Sequence, residues 1–269
     1  MQSIKQKQKG FFLKILRSIV LLSIITLILS ATLFYYYFRV SAQNQLYTFN
    51  NELLERTSKE VENTNENITH YVQSIFQNIA AERLMFSYEE NIYDLVGDID
   101  AMEKVYASNP WVHSIYIYNS RLDRFYTIGE ETLIRVGDIV DKEAKLLLVG
   151  DDYPSNYPIA RKIPPSEGRL EERIHVYSYL LKSPNDADSF PDAVIVNIYS
   201  EALFSASANN DNDSNEITGI FSIDTSGKIV GSEYEDHFLA DIHDKPFIER
   251  IINQEMNTGY FVDTSGRDR

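Results

Sequence analysis

Tyrosine, histidine and asparagine alternate with aliphatic residues in three stretches, around 111–119, 174–181 and 194–199. Successive side chains of a β-strand point to opposite faces, so each stretch predicts one aliphatic and one polar face. We expect Ile174, Val176 and Leu180 to join the aliphatic face, which packs on a long helix. Aromatic rings with convergent polar groups suit a small-ligand site, and Arg161 adds a cation for a carboxylate. The candidate ligand-binding residues are Tyr116, Tyr118, Arg161, His175, Tyr177, Tyr179, Asn197 and Tyr199. The alternative, that these tyrosines are ordinary core or surface residues, stays open.

Motifs for other chemistry fail on spacing. The histidines show no HExxH pattern, and the sequence has neither a GxSxG elbow nor a phosphate-binding glycine loop. A calcium loop starting at Asp211 would place Glu216 where glycine is required and Ser222 where glutamate is required. We therefore predict no catalytic residue, no metal and no cofactor, with a membrane-anchored hydrolase that uses scattered acids as the alternative class.

The predicted elements are helices followed by strands. Apolar residues at helical spacing and the absence of Pro and Gly predict one long helix from Arg39 to about Met85. Its polar first half indicates a stalk or a dimer contact, with a solvated helix packed on its own domain as the alternative. A second helix is predicted at 91–108 and a short one at 142–149. Strands are predicted at 111–119, 124–128, 157–163, 173–182 and 193–199, which gives an α+β domain around an antiparallel sheet.

An uncharged apolar stretch, Ser18 to Phe38, precedes these elements. As a helix it would be about 31 Å long, enough to cross the hydrocarbon core of a bilayer. Five basic residues, the last of them Arg17, and no acidic residue precede it, whereas Arg39 and then a strongly acidic chain follow it. This asymmetry predicts that the N-terminus is in the cytoplasm and the rest outside. A signal peptide cleaved near Ala42 is the alternative, but the apolar stretch exceeds the usual signal length.

The composition limits the classes of partner. The net charge is −15, and the basic residues before the apolar stretch leave the exported part still more acidic. Such a surface repels nucleic acid and anionic lipid, so we predict no nucleic-acid contact by this segment. The absence of cysteine excludes a disulfide framework, and a hydrophobic core must hold the domain together.

A polar run at 207–216 predicts a linker to a second unit. This unit begins with predicted strands at 217–223 and 228–231 around the turn Asp224-Thr225-Ser226-Gly227, and it continues with a helix at 245–253 and a strand from 259. Such a short unit with an open sheet edge is expected to be an incomplete subdomain.

The order of elements and the segments NPWVHSIYIYNSRLDRFYT, GIFSIDTSGKIVGS and DIHDKPFIERIINQEMNTGYFVDTSG resemble the double Cache extracytoplasmic sensor of Gram-positive membrane-bound regulators. The sequence is most similar to the N-terminal half of AraC-type transcriptional regulators, with sensor histidine kinases second. The resemblance implies a PAS-like Cache domain that binds a small molecule outside the cell. The family continues with further strands, a second span and an output domain, which these residues do not contain.

The resulting domain prediction has five parts. They are a cytoplasmic tail at 1–17, a transmembrane helix at 18–38, a stalk helix with the membrane-distal Cache domain at 39–206, a linker at 207–216 and a partial membrane-proximal Cache-like subdomain at 217–269. The predicted partners are the lipid bilayer, an unidentified small molecule and a second copy of the chain, joined through the stalk helix.

Overall fold

A computed structural model describes residues 2–89, 91–129, 141–149, 158–164, 173–184, 191–204, 221–232, 237–245 and 248, with side chains for all of these except 2–12 and 204. The chain divides into two compact units, Met1–Arg56 and Thr57–Arg269.

The first helix, α1, runs without a break from Gln2 to Phe76. It contains an apolar stretch that is long enough to cross a membrane, and the large apolar side chains of that stretch are exposed. In the second unit α1 buries Ile68, Val72 and Ile75, which recur on one side of the helix. One side of this part of α1 therefore belongs to the core.

The prediction of one helix to about Met85 was wrong at its C-terminal end. The chain leaves helical geometry at Asn78, and a separate helix, α2, follows at Ile79–Phe86. Asn78 is extended, and its side chain accepts a hydrogen bond of 2.9 Å from the N–H of Ala80. This is an N-cap, which satisfies a backbone donor that a new helix leaves free.

The next helix, α3, spans Ile92–Ala107 and confirms the predicted second helix. Asn91 caps it, accepting from the N–H of Tyr93 at 3.1 Å. Met102 is fully buried in the core that α3 shares with α1 and α2.

The predicted antiparallel sheet is confirmed, with strand ends shifted by a residue or two. Its strands are β1 (Val112–Asn119), β2 (Arg124–Gly129), β3 (Ile159–Ile163), β4 (Ile174–Lys182) and β5 (Ala193–Tyr199), in the order β2-β1-β5-β4-β3. Helix α4 (Ala144–Val149) lies between β2 and β3 in sequence, and the short α5 (Glu201–Phe204) follows β5.

The sheet has two buried faces. The helix face packs on α1, α2 and α3, and includes Ile115, Ile117, Val194, Val196 and Ile198. The far face packs on α4, and includes Tyr116, Tyr118, Phe125, Leu180 and Ile195. Both faces are covered, which explains why every residue of β1 is buried.

The predicted assignment of faces was wrong for β4. Tyr177 pairs with Ile198 and Tyr179 pairs with Val196, and directly paired residues share a face. Tyr177 and Tyr179 therefore lie on the helix face, whereas Leu180 lies on the far face. Alternation within a strand fixes which residues share a face, but only the register against β5 fixes which face that is.

A second, two-stranded sheet consists of β6 (Phe221–Ile223) and β7 (Ile229–Ser232). The turn between them contains Gly227 at φ +83°, a conformation that favours glycine. Of the predicted helix at 245–253, only Lys245 and Ile248 are described, joined by a backbone hydrogen bond of 2.9 Å. The linker at 207–216 and the strand from 259 lie outside the described residues, so the incomplete subdomain stays a prediction.

Candidate functional site

The eight candidate residues divide between the two faces of the main sheet. Register places Tyr116, Tyr118, Arg161, Asn197 and Tyr199 on the far face, and His175, Tyr177 and Tyr179 on the helix face. They do not form one surface. The two groups have different surroundings and require separate descriptions.

Arg161 is the centre of the far-face group. It lies on β3, is 6% exposed, and forms a two-bond ion pair with the buried Asp141 at 2.7 and 3.2 Å. Its Nε donates to Ser178 Oγ on β4 at 2.7 Å, and its second terminal nitrogen also donates to Asn197 Oδ1 on β5 at 3.1 Å. The guanidinium thus connects two neighbouring strands to the residue that precedes α4.

The network continues across β5 to β1. Ser178 donates to Asn197 Oδ1 at 2.6 Å, and Asn197 Nδ2 donates to Ser114 Oγ at 2.9 Å. Ser114 in turn lies 2.9 Å from His113 Nδ1, at an irregularity in the β1–β5 register. We call Asp141, Arg161, Ser178, Asn197 and Ser114 the polar network. Burial in a medium of low dielectric strengthens these bonds and makes an unpaired member costly.

Aromatic and aliphatic side chains adjoin the polar network on the far face. Tyr116 and Tyr118 pack there with Leu147 and Leu148 of α4. The Tyr118 hydroxyl donates to Asp123 at 2.7 Å, and Lys145 of α4 contacts the same carboxylate at 2.7 Å. The hydrogen bonds from Lys145 and Tyr118 hold the pKa of Asp123 below its usual value. These contacts connect α4 to the turn between β1 and β2.

The far face combines apolar surface with a charge-balanced set of donors and acceptors. That combination suits recognition of a small polar molecule. Arg161 already has a carboxylate partner in Asp141, with which a ligand carboxylate would compete for the guanidinium.

The helix-face group makes structural contacts between elements. The Tyr177 hydroxyl donates to the backbone oxygen of Val230 on β7, and Tyr179 donates to Asn65 Oδ1 on α1 at 2.6 Å. Phe238 packs between the rings of His175 and Tyr177, with centroid distances of 4.8 and 5.7 Å. Burial raises the pKa of both tyrosines. These residues connect β4 to the second sheet and to α1.

Sequence reasoning missed three members of the polar network: Ser114, Asp141 and Ser178. The two serines carry a weak signal, since each is a small polar residue in a strand made mainly of aliphatic and aromatic residues. Asp141 carries none, because nothing in the sequence relates it to Arg161. Within the described parts of the chain, no three His, Cys, Asp or Glu side chains converge on a metal position.

No protein-family model matches the chain, and neither does any curated protein sequence. Solved structures do resemble it. An extracellular domain assigned to a histidine kinase, vpHK1S-Z8, is 12% identical, with 82% of this chain and 86% of that chain covered and a TM-score of 0.56.

Two structures of the Campylobacter jejuni chemoreceptor Tlp3 also match. Its ligand-binding domain in complex with L-valine is 14% identical and covers 78% of this chain and 80% of its own, with a TM-score of 0.48. Its sensory domain is 14% identical, with coverages of 73% and 75% and a TM-score of 0.47. At 12% identity the likeness to the histidine kinase domain concerns the fold alone, and by that fold the sheet domain after the apolar helix resembles Cache and PAS sensor domains.

Proposed function

We propose that this chain is the extracytoplasmic small-molecule sensor of a membrane-bound signalling protein, and that the ligand binds on the far face at the polar network. A sensor-like fold follows an apolar helix of membrane-spanning length, as this function requires. The ligand-contacting residues are Arg161, Asn197, Tyr116, Tyr118 and Tyr199. Tyr177, Tyr179 and His175 serve to connect this sheet to other elements.

The observation that carries the proposal is the buried ion pair on the far face, hydrogen-bonded to side chains of β4 and β5. A protein in which apolar residues replace a buried ion pair is often as stable as the parent protein, or more stable. Packing alone therefore explains the burial of Arg161 and Asp141 poorly. A ligand that exchanges hydrogen bonds with these groups explains their position. Because Asp141 balances the charge of Arg161, we expect a neutral or zwitterionic ligand.

The same proposal includes the topology and the assembly. The basic residues before Ser18 favour a cytoplasmic N-terminus, with the bilayer around 18–38 and the sensor outside. We also propose a homodimer through the stalk. The side chains of Leu46, Phe49 and Leu54 are more than half exposed on α1, as expected of a helix that packs against a second copy.

For the output we infer an AraC-type transcriptional regulator, on the sequence resemblance alone. A sensor histidine kinase fits about equally, and the fold is compatible with both. A non-enzymatic role of this region is part of the same inference. The gene sequence downstream of the Arg269 codon discriminates the two outputs, because one predicts helix-turn-helix segments and the other a kinase domain.

The test of the binding site is a thermal-shift screen of the full chain in detergent against small metabolites. Each stabilising compound is then tested on Ser178→Ala, which alters the polar network, and on Tyr177→Phe, which alters the opposite face. We expect a weaker shift with Ser178→Ala and an unchanged one with Tyr177→Phe. The opposite pattern would place the ligand on the helix face and refute the assignment.

A further inference from the structure

Helices α2 and α3 enclose a groove of about 980 Å³ on the outside of the domain. Its apolar lining comes from Ile79, Leu84, Phe86, Leu95 and Tyr126. Gly97 of α3 leaves the groove open, since an added Cβ there would meet nothing within 4 Å. The groove is separate from the polar network, which lies on the far face of the sheet.

Large exposed apolar side chains occur along the chain segments that line this groove. Ile79, Tyr88, Ile92 and Tyr93 are between 68% and 89% exposed. The Arg121 guanidinium stacks on Tyr88 at 4.6 Å from the ring centroid and donates to the backbone oxygen of Phe86 at 3.1 Å. A soluble surface seldom groups so many apolar side chains unless it binds a partner, and the stacked Tyr88 is held in place for contact.

The groove is acidic as well as apolar. Glu82, Glu89 and Asp94 contribute carboxylates to its lining. Its basic residue, Arg83, is engaged by the buried Asp98 through two nitrogens. The groove therefore presents a net negative charge beside its apolar surface, which complements a partner that combines basic and apolar side chains.

We propose that the groove between α2 and α3 is the docking site for a basic, amphipathic polypeptide segment of another extracytoplasmic protein. An amphipathic helix in a hydrophobic groove is a common mode of peptide recognition. A second copy of this chain would bring another acidic surface, and anionic lipid would be repelled in the same way. This proposal extends beyond small-molecule sensing; it rests on the proposed topology but not on the ligand site.

The test uses the full chain in phosphatidylcholine nanodiscs and a fluorescein-labelled peptide of leucine and lysine with leucine at helical spacing. Empty nanodiscs provide the background, and a twin peptide with glutamate in place of lysine provides the charge control. Gly97→Leu adds a side chain whose Cβ meets nothing within 4 Å and improves helix propensity, so it should fold. We expect the parent to bind the basic peptide, and Gly97→Leu to weaken binding about tenfold.

Charge is tested separately with Glu82→Lys/Asp94→Lys and with a control of equal charge change, Glu55→Lys/Glu60→Lys, at exposed positions of α1. The groove pair should weaken binding about tenfold, and the control pair should leave it within about twofold. The proposal is overturned by an absence of binding to the parent, by equal binding of the acidic twin, by full affinity of Gly97→Leu, or by equal losses in the two charge pairs. A change of oligomeric mass caused by Gly97→Leu would assign the groove to self-association and overturn it as well.

Discussion

At the residue scale, Arg161 and Asp141 are the pair on which the candidate site depends. Both are almost fully buried, and each provides the other's charge compensation. Removal of one partner leaves a buried charge unpaired, whereas removal of both removes the desolvation cost as well. Single and double substitutions of this pair can therefore separate its effect on stability from its effect on ligand binding.

We predict that Arg161→Met lowers the free energy of unfolding by about 3–5 kcal/mol, because Asp141 is left buried and unpaired. The double variant Arg161→Met/Asp141→Leu should lose much less than the sum of the single variants. Urea unfolding of the full chain in detergent, followed by circular dichroism, measures both. Additive losses would mean that the two side chains do not act as a buried pair.

The sequence was informative about one partner of this pair and silent about the other. Arg161 stands beside Lys162 in a short strand that lies, in sequence, between the strands with the aromatic and amide residues. Asp141 is 20 residues away along the chain and precedes a different element. Whether two residues so far apart in sequence form a pair depends on tertiary packing, which rules about residue spacing do not predict.

At the element scale, β4 joins the candidate site to the rest of the domain. Its far face contributes Ser178 to the polar network, while its helix face contributes Tyr177 to β7 and Tyr179 to α1. A change on one face of this strand can therefore affect the second sheet and α1 through direct hydrogen bonds. Such an effect is possible because β4 is a single strand whose two faces are both buried and hydrogen-bonded.

The buried tyrosines of β4 predict a stability change at high pH. Burial raises the pKa of both tyrosines in the folded state above the unfolded value of about 10. The stabilisation of the folded state that this difference provides is complete below pH 10 and is lost as the pH rises above it. The loss is up to about 1.4 kcal/mol per pH unit for each tyrosine. Unfolding at pH 9 and pH 11 should show a smaller decrease for Tyr177→Phe/Tyr179→Phe than for the parent, and equal decreases would contradict this.

Elements were more predictable than their arrangement. Periodicity located α3 and all five strands of the main sheet, because hydrophobic alternation is a local property. The orientation of β4 was missed because it depends on the register against β5. The end of α1 was missed because the predicted helix already contains several asparagines, so Asn78, which caps α2, does not stand out among them as a cap.

At the scale of the whole molecule, the proposed function requires that the chain crosses the membrane with its sensor outside. The chain contains no cysteine, so single cysteines report topology without background. A cysteine at Ser58 should react with a membrane-impermeant maleimide in intact cells, and one at Ser3 only after permeabilisation. The reverse pattern would place the sensor domain in the cytoplasm.

The most direct test of the central claim is hydrogen exchange of the full chain with and without a compound that the thermal-shift screen identifies. We predict slower exchange in β3, β4 and β5 and at the start of α4, because the polar network joins these elements. The decrease should disappear in Arg161→Met/Asp141→Leu and persist in Tyr177→Phe. Protection confined to the groove of α2 and α3, or protection unchanged in the double variant, would contradict a sensor site on the far face.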